Sequence, residues 1–371
     1  CGAYGGEVPW CSTRQVFGVG LMTVKLSDVS VVLQGPVRFE TPESVESVRR
    51  LLPEAELILS TWEDEDVSSL GPIRVLRSEK PSAPIQHDRL SVPNNLNRLI
   101  RSTKKGVAAV TRPYVLKMRS DMVLDSLAFL DSFERFPERG PMPLFAHKVL
   151  VPALFSRTAY RGHAVPFHLS DWAVFGLAQD VRALFSELPE VVEPEFTRWF
   201  ERQDHKSPFG TTLFRVAPEQ YVAYSFFSRS TGRTLMVDAS DNNPAIVLEA
   251  EKFTVSNYIV AEYCDSGLRL PKYPASIDEK LIGMEFFELW NRFTYEQAYR
   301  KYCDPHYEIT ALEEAELYRR RPLNEARLRL AKHWRRLTQP ASLSRIPEEL
   351  LALPVVCCQY LRALFSLRAN Q

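Results

Sequence analysis

The sequence VSVVLQGPV at residues 29–37 sets our interpretation of the fold. It is a β-branched apolar run that ends at Gly35 and Pro36, which predicts a buried strand entering a tight loop. Thr41 is the predicted N-cap of the helix that follows, and residues 56–61 (ELILST) predict a second strand. Strands that alternate with helices in this way favour a parallel sheet flanked by helices.

The alternation continues further along the chain. Residues 94–107 have an apolar stripe at helical spacing, and residues 114–118 (YVLKM) form another strand-like run that leads into Arg119-Ser120-Asp121. Parallel sheets bind ligands in the crevice at the carboxyl ends of their strands. We therefore expect a site formed by the loops 34–38, 60–66 and 119–125.

Three segments are predicted along the chain. Residues 1–28 are Gly-rich without a clear pattern and are expected to be a poorly ordered extension, residues 29–274 carry the strand and helix signals, and residues 275–371 are rich in helix formers. The last segment is predicted to be a helical appendage. Within it, residues 319–336 are basic and amphipathic, which is typical either of a helix lying peripherally on an anionic inner-membrane surface or of a solvated helix packed on the main domain.

The composition excludes several classes of protein. Of the 371 residues, 45% are hydrophobic and 25% are charged, with 46 basic and 46 acidic side chains, as in an ordinary globular protein. This balance argues against bulk binding of nucleic acid, which requires a basic surface. We find no secretory signal, no apolar run of the ~18 residues that a membrane span needs, and no cysteine spacing typical of zinc or disulfide frameworks. A reducing compartment is expected.

The first candidate ligand site is Asp121, which follows a predicted buried strand. A carboxylate at that position suits Mg²⁺ or Mn²⁺, whose other ligands are usually water and phosphate oxygens; the alternative is a cap on the next helix. Lys117 lies within the same strand and needs a partner, which is either a carboxylate across the sheet or a phosphate.

Further candidates follow the other strands and begin the second helix. Gly35 allows a ligand to approach the backbone beside Gln34, and Thr61 with Trp62 suits a ribose and a nucleobase unless this is only a surface loop. Asn95 flanks the apolar stripe of its helix, and Arg98 offers a planar set of donors for a phosphate. The alternative for these two is a solvated helix face.

Two acidic residues are candidates for acid–base chemistry. Asp171 lies in HLSDW at residues 168–172, and Glu219 lies in PEQY at residues 218–221. Each is a candidate general base that removes the proton of an acceptor hydroxyl. Each is equally compatible with an acid placed at a helix N-terminus, where the helix dipole favours negative charge.

Taken together, six segments resemble the WavE family of bacterial lipopolysaccharide and capsule synthesis proteins. In chain order between residues 31 and 221 they are VVLQGPV, LPEAELILSTWE, NNLNRLIRSTKKG, YVLKMRSD, PFHLSDWAVFGL and PEQY. The resemblance implies a GT-A-like fold, the mostly parallel sheet of the nucleotide-diphospho-sugar transferases. It also implies a cytoplasmic glycosyltransferase that acts on a nucleotide-sugar donor and a saccharide acceptor, which is either an oligosaccharide or lipid-linked.

The resemblance also assigns roles to the candidate residues. GT-A enzymes carry a D-x-D motif that binds a divalent cation, and here the triplet is Arg119-Ser120-Asp121, so that only the second acid is present and Arg119 is expected to neutralise part of the charge. The residues expected to bind the nucleotide sugar are Gln34, Gly35, Thr61, Trp62, Asn95, Arg98, Lys117 and Arg119; Asp121 is expected to bind the metal, and Asp171 and Glu219 to act at the acceptor.

Two other functions are compatible with these residues. A nucleotidyltransferase shares the sheet and the need for a cation, but it usually carries a Gly-rich, Lys-containing loop after the first strand, which VVLQGPV lacks. A non-catalytic glycan-binding protein would bind saccharide without any dependence on nucleotide. The gathering of polar residues at several strand ends favours the enzyme.

Overall fold

The structure is a computed structural model that describes residues 24–85, 93–209, 212–271, 284–319 and 321. A seven-stranded sheet forms its centre. The strands of this sheet are β1 (Val29–Gln34), β2 (Glu56–Trp62), β3 (Arg74–Ser78), β4 (Tyr114–Arg119), β6 (Val149–Pro152), β9 (Ala173–Leu177) and β10 (Tyr258–Ala261). The short strands β5 (Val123–Leu124) and β11 (Leu268–Arg269) pair with each other, as do β7 (Ala159–Tyr160) and β8 (His163–Ala164).

The order of the strands in the sheet is β10-β6-β9-β4-β1-β2-β3. Strand β1 is parallel to β2 and β4, β2 is parallel to β3, and β6 is parallel to β10. Strand β9 is antiparallel to both of its neighbours, β4 and β6. The sheet is therefore mostly parallel, and the predicted α/β class is confirmed.

Helices cover both faces of the sheet. In the described residues they are α1 (Thr41–Leu51), α2 (Leu96–Ala108), α3 (Ala128–Glu134), α4 (Ala178–Phe185), α5 (Pro218–Thr231), α6 (Pro244–Asn257), α7 (Tyr263–Ser266), α8 (Arg292–Tyr302) and α9 (Leu312–Arg319). Helix α1 begins one residue earlier than predicted, with Glu40 as its N-cap, because the Thr41 hydroxyl accepts a hydrogen bond from the backbone N–H of Arg38 instead of capping the first turn.

The pleat of the sheet separates the two helical layers. Phe175 of β9 packs against Phe129 and Phe133 of α3, with ring centroids 4.8 and 4.9 Å apart. Lys117 of β4 points to the other face, where its Nζ lies 5.9 Å from the ring centroid of Phe185 in α4. Because side chains alternate along a strand, α3 and α4 lie on opposite faces, and α2 packs beside α4.

A close approach of α2 to the sheet depends on Gly106. A β-carbon at this position would lie 2.4 Å from Cγ1 of Val32 and 3.2 Å from Cβ of Ser60. No larger residue fits without displacing the helix. The approach fixes α2 over β1 and β2, so its first turn lies above the carboxyl ends of those strands.

The described part of the C-terminal segment packs directly on the main core. Tyr295 of α8 is buried, and its hydroxyl donates to the backbone oxygen of Tyr258 over 2.7 Å. Glu296 is also buried and accepts hydrogen bonds from the backbone N–H groups of Thr310 and Ala311. The division at residues 274 and 275 stays a prediction. Residues 1–23 of the predicted extension 1–28, and nearly all of the basic segment 319–336, lie outside the described residues.

None of the described helices has both the length and the hydrophobicity needed to cross a bilayer.

Candidate functional site

A cavity of about 700 Å³ opens at the carboxyl edge of the sheet. Its lining brings together ends of strands β1, β2 and β4 with the first turns of α2 and α5. The lining residues are Gln34, Gly35, Pro36, Arg38, Trp62, Lys80, Pro93, Asn95, Leu96, Arg98, Leu99, Arg119, Ser120, Asp121, Asp171, Trp172, Phe214, Pro218 and Glu219. The volume is in the range of small-molecule sites.

The loop after β1 forms one wall of the cavity. Gly35 has φ +123°, a conformation that L side chains rarely adopt, and a β-carbon there would lie 3.2 Å from Oγ of Ser120. Ser120 in turn donates to the backbone oxygen of Pro36 over 2.6 Å. Gln34 is held by its Nε2, which donates to Oγ of Ser102 in α2 over 2.8 Å. The wall is therefore fixed on both sides.

Arg119 and Asp121 form a bidentate ion pair at the end of β4. Nε and Nη2 of Arg119 donate to the two carboxylate oxygens of Asp121 over 2.8 and 2.7 Å. Asp121 is 2% exposed, and Oδ2 also lies 3.6 Å from Nε of Arg38. The Arg119 guanidinium lies 4.6 Å from the ring centroid of Trp172, a cation–π contact. Asp121 and Trp172 together hold the orientation of the guanidinium.

This arrangement does not fit a divalent cation at Asp121. Both of its carboxylate oxygens already accept hydrogen bonds from Arg119, and a second guanidinium, that of Arg38, lies beside Oδ2. Two unit charges 4 Å apart near a protein surface interact by about 4 kcal/mol, so a dication here would be strongly repelled by both arginines. Among the described residues, no cluster of three or more His, Cys, Asp or Glu side chains suits a metal.

Asp171 reaches the cavity because β9 runs antiparallel to β4. Met118 pairs with Ala173, and the Arg119 N–H donates to the backbone oxygen of Trp172 over 3.1 Å, so the residues that precede β9 lie at the carboxyl end of β4. Nζ of Lys117, which is fully buried, donates to the backbone oxygen of Asp171. This hydrogen bond fixes the position of the Asp171 backbone.

Asp171 and Glu219 are two acids whose pKa values are raised. Burial raises the pKa of Asp171, although Lys117 and Arg119 oppose the shift. Burial raises the pKa of Glu219 to about 8, and the negative charge of Asp171 adds to that rise. Glu219 is half-buried and opens onto the cavity, so water entering the cavity moderates its shift. Oδ2 of Asp171 is buried without a hydrogen-bond partner in the described residues.

Nine of the eleven predicted site residues line the cavity. Thr61 and Lys117 do not: the pleat turns Thr61 away from the cavity, and Lys117 lies too far from the strand end. Thr61 points to the opposite face from Ser60, whose hydroxyl bonds the backbone oxygen of Ser102 in α2, and Thr61 is fully buried. Lys117 shares the side of Arg119 but lies two residues, about 7 Å, further from the strand end. Burial lowers the pKa of Lys117 to about 8, and Asp171 opposes that shift.

Ten lining residues were not among the predicted ligands, and four of them carry charged or aromatic side chains: Arg38, Lys80, Trp172 and Phe214. Arg38 lies in the 34–38 loop that the sheet argument selected, so its position was a usable signal, and Trp172 adjoins Asp171 in sequence. Lys80 and Phe214 lie in connections that carry no motif. His168, in the same HLSDW stretch, lies outside the lining: burial lowers its pKa to about 3, and it contacts the backbone oxygen of Phe155 through Nδ1.

The chain was compared with known families and proteins. Two solved structures with weak similarity are an active-site mutant of LgtC, with TM-score 0.29, 13% identity and coverage of 53% of this chain and 70% of that chain, and the galactosyltransferase LgtC in complex with donor and acceptor sugar analogues, with TM-score 0.29, 10% identity and coverage of 59% and 85%. No curated protein gives a significant match. A family model described as WavE lipopolysaccharide synthesis matches residues 29–336, which confirms the resemblance seen in the sequence motifs.

Proposed function

Because the chain belongs to the WavE lipopolysaccharide synthesis family, we propose that it is a GT-A-type glycosyltransferase. It transfers a sugar from a nucleotide-sugar donor to a saccharide acceptor during assembly of bacterial lipopolysaccharide or capsule, on the cytoplasmic side of the inner membrane. The observation that carries this proposal is the cavity itself, in which basic side chains face a pair of acids with raised pKa values.

The basic part of the cavity suits the donor. Arg38, Lys80, Arg98 and Arg119 line it together with the first turn of α2, where backbone N–H groups and the helix dipole favour an anion. Trp62 also borders this wall, although its side chain is only 1% exposed. The basic groups match a nucleoside diphosphate, which carries several negative charges.

The acidic part of the cavity suits the acceptor. Asp171 is the general base: the acceptor oxygen bonds to the anomeric carbon of the donor sugar, the bond from that carbon to the diphosphate oxygen breaks, and the hydroxyl proton passes to Asp171. Glu219 keeps its proton at neutral pH, because its pKa is raised to about 8, and donates a hydrogen bond to the sugars. Two acids in different environments divide the two roles in this way.

Lys117 and Thr61 support this site from outside the cavity. Lys117 is a positioning residue, since its bond to the Asp171 backbone and its charge both act on the base. Thr61 is fully buried in β2, directly before Trp62 in the chain.

The test is an activity measurement on the full chain. We would incubate it with uridine, guanosine, cytidine and thymidine nucleotide sugars and with truncated lipopolysaccharide acceptors, and measure both acceptor mass and nucleotide release. We expect one donor to release its nucleotide in step with a mass gain of one sugar on the acceptor. Release of pyrophosphate from a nucleoside triphosphate would instead identify a nucleotidyltransferase. Acceptor binding that no nucleotide changes would identify a glycan-binding protein.

A further inference from the structure

The cavity gathers more cationic groups than its carboxylates neutralise. Arg38, Arg98 and Arg119 line it, against Asp121, Asp171 and Glu219. Lys80 also lines it, but its ammonium group is paired with Asp64 and Glu65 outside the lining. The Asp121 carboxylate is engaged by Arg119, and the pKa of Glu219 is raised by burial, so that it carries little charge at neutral pH. The remaining field is positive, which is the sign that attracts a diphosphate.

The arginine at the centre of this group is held in place before any ligand binds. Asp121 holds Nε and Nη2 of Arg119, and Trp172 holds the face of the guanidinium. Arg119 is the last residue of β4, and its side chain lines the cavity and is 26% exposed. A fixed, planar guanidinium binds phosphate with directed, charge-assisted hydrogen bonds and loses little freedom on binding.

A second guanidinium lies on the other side of the same carboxylate. Nε of Arg38 is 3.6 Å from Oδ2 of Asp121, and the Arg38 side chain is 42% exposed. Arg98, at the first turn of α2, is fixed by a hydrogen bond from its Nε to the backbone oxygen of Pro81 over 2.9 Å. The two strand-end loops and the helix therefore each contribute one guanidinium to the cavity.

We propose that the guanidinium groups of Arg119 and Arg38, assisted by Arg98, bind the donor diphosphate directly and replace the divalent cation. Asp121 is then a positioning residue for Arg119 rather than a metal ligand. This inference rests on the proposed function and specifies the chemistry of the same site. When the bond from the anomeric carbon to the diphosphate oxygen breaks, the departing diphosphate gains negative charge, and the fixed arginines neutralise it.

The experiment is a binding titration of the full chain with inorganic diphosphate and with uridine, guanosine, cytidine and adenosine diphosphates. Each titration is run in EDTA and again with Mg²⁺ or Mn²⁺. We expect the best nucleotide to bind in EDTA within about threefold of its affinity with metal, a difference below 1 kcal/mol. Binding that requires the metal would overturn the inference while leaving the proposed function intact.

Variants separate the roles of the arginine and the carboxylate. Arg119→Gln is expected to weaken binding about 10- to 100-fold, the range for hydrogen bonds to charged groups, and Arg119→Lys is expected to restore part of it. Arg38→Gln, on an exposed loop residue, is expected to weaken binding without affecting the fold. Arg101→Gln, on the same helix as Arg98 but paired with Glu190, is the control and should bind as the wild type does.

Asp121→Asn gives different results under the two mechanisms. If Asp121 bound a metal, the variant would lose nucleotide affinity in Mg²⁺ and show no change in EDTA. If Asp121 positions Arg119, the variant changes affinity by the same factor in EDTA and in Mg²⁺, because Arg119, and not a metal ion, makes the contact with the diphosphate. Loss of affinity confined to the metal-containing titration would contradict our inference, and failure of every nucleotide to bind wild-type protein would contradict the proposed function as well.

Discussion

Asp121 and Asp171 lie at the same edge of the sheet, but their surroundings are opposite. Asp121 has both carboxylate oxygens in a bidentate pair with Arg119. Asp171 is also buried, yet its Oδ2 has no hydrogen-bond partner in the described part of the chain, and its pKa is raised by burial. A carboxylate whose charge is satisfied is a weak base, whereas a raised pKa strengthens one. The comparison teaches that partners, rather than residue type, assign the roles here.

The largest expected effect is that of Asp171→Asn on transfer. The amide cannot accept the acceptor proton, so we expect the rate of sugar transfer to fall about 10²- to 10⁴-fold, the usual contribution of a general base. Donor affinity should stay within a factor of about three, because the basic half of the cavity is unchanged. The measurement is kcat for transfer beside a nucleotide binding titration.

Asp131→Asn is the matched control for this change, because Asp131 is exposed on α3 and lies away from the cavity. It should transfer sugar at the wild-type rate. If Asp171→Asn also kept that rate, Asp171 would not be the base, and Asp121 and Asp171 would no longer differ in function.

A smaller effect is expected when the support beneath Asp171 is removed. The Lys117 charge lowers the pKa of Asp171 against the larger effect of burial, so Lys117→Met should raise that pKa. The acid limb of the pH–rate profile for kcat/KM would then move to higher pH, and activity lost at neutral pH would return in alkaline buffer. A purely structural role for Lys117 would lower the rate equally at all pH values.

The sequence predicted the position of Asp121 better than it predicted the position of Asp171. Strand β4 ends at Arg119, one residue beyond the predicted run, and its parallel pairing with β1 places Ser120 beside Gly35, with Asp121 next in the chain. Position at a strand end follows from local pattern, which a single sequence contains. That Arg119 turns back onto Asp121 does not follow, because it depends on rotamers and on Trp172.

The position of Asp171 depended on the direction of strand β9. Asp171 lies at the carboxyl edge only because β9 runs antiparallel to β4, and an apolar run such as AVFGL at residues 173–177 has no feature that encodes its direction. The motif selected Asp171 correctly as a lining residue, but not the reason. Thr61 lies outside the lining for a related cause, since the pattern at a strand end does not state which face of the pleat meets the cavity.

The smallest expected effect is a change in the free energy of unfolding, and it distinguishes Glu219 from Asp121, which is paired with Arg119. Glu219 has a folded-state pKa raised from 4.5 to about 8. Between those values the folded state holds a proton that the unfolded state has released, so stability falls as pH rises from 4.5 to 8 and changes little above. Glu219→Gln removes this loss of stability, because the glutamine amide does not titrate. We expect it to raise the free energy of unfolding at pH 8 by about 1–2 kcal/mol, after allowance for water in the cavity, and to leave pH 4.5 unchanged.

The corresponding change at the ion pair has the opposite sign. Asp121→Asn removes the negative charge and leaves Arg119 one acceptor oxygen in place of two, so it should lower the free energy of unfolding by about 1–3 kcal/mol at neutral pH. Thermal melts of both variants over pH 4.5 to 8 measure the contrast, with Glu195→Gln, at an exposed position, as the control that should not move. If Glu219→Gln lowered the melting temperature at pH 8, as Asp121→Asn is expected to do, then the folded protein would stabilise the charged form of Glu219 through partners. Glu219 would then be structural, and only Asp171 would retain a chemical role.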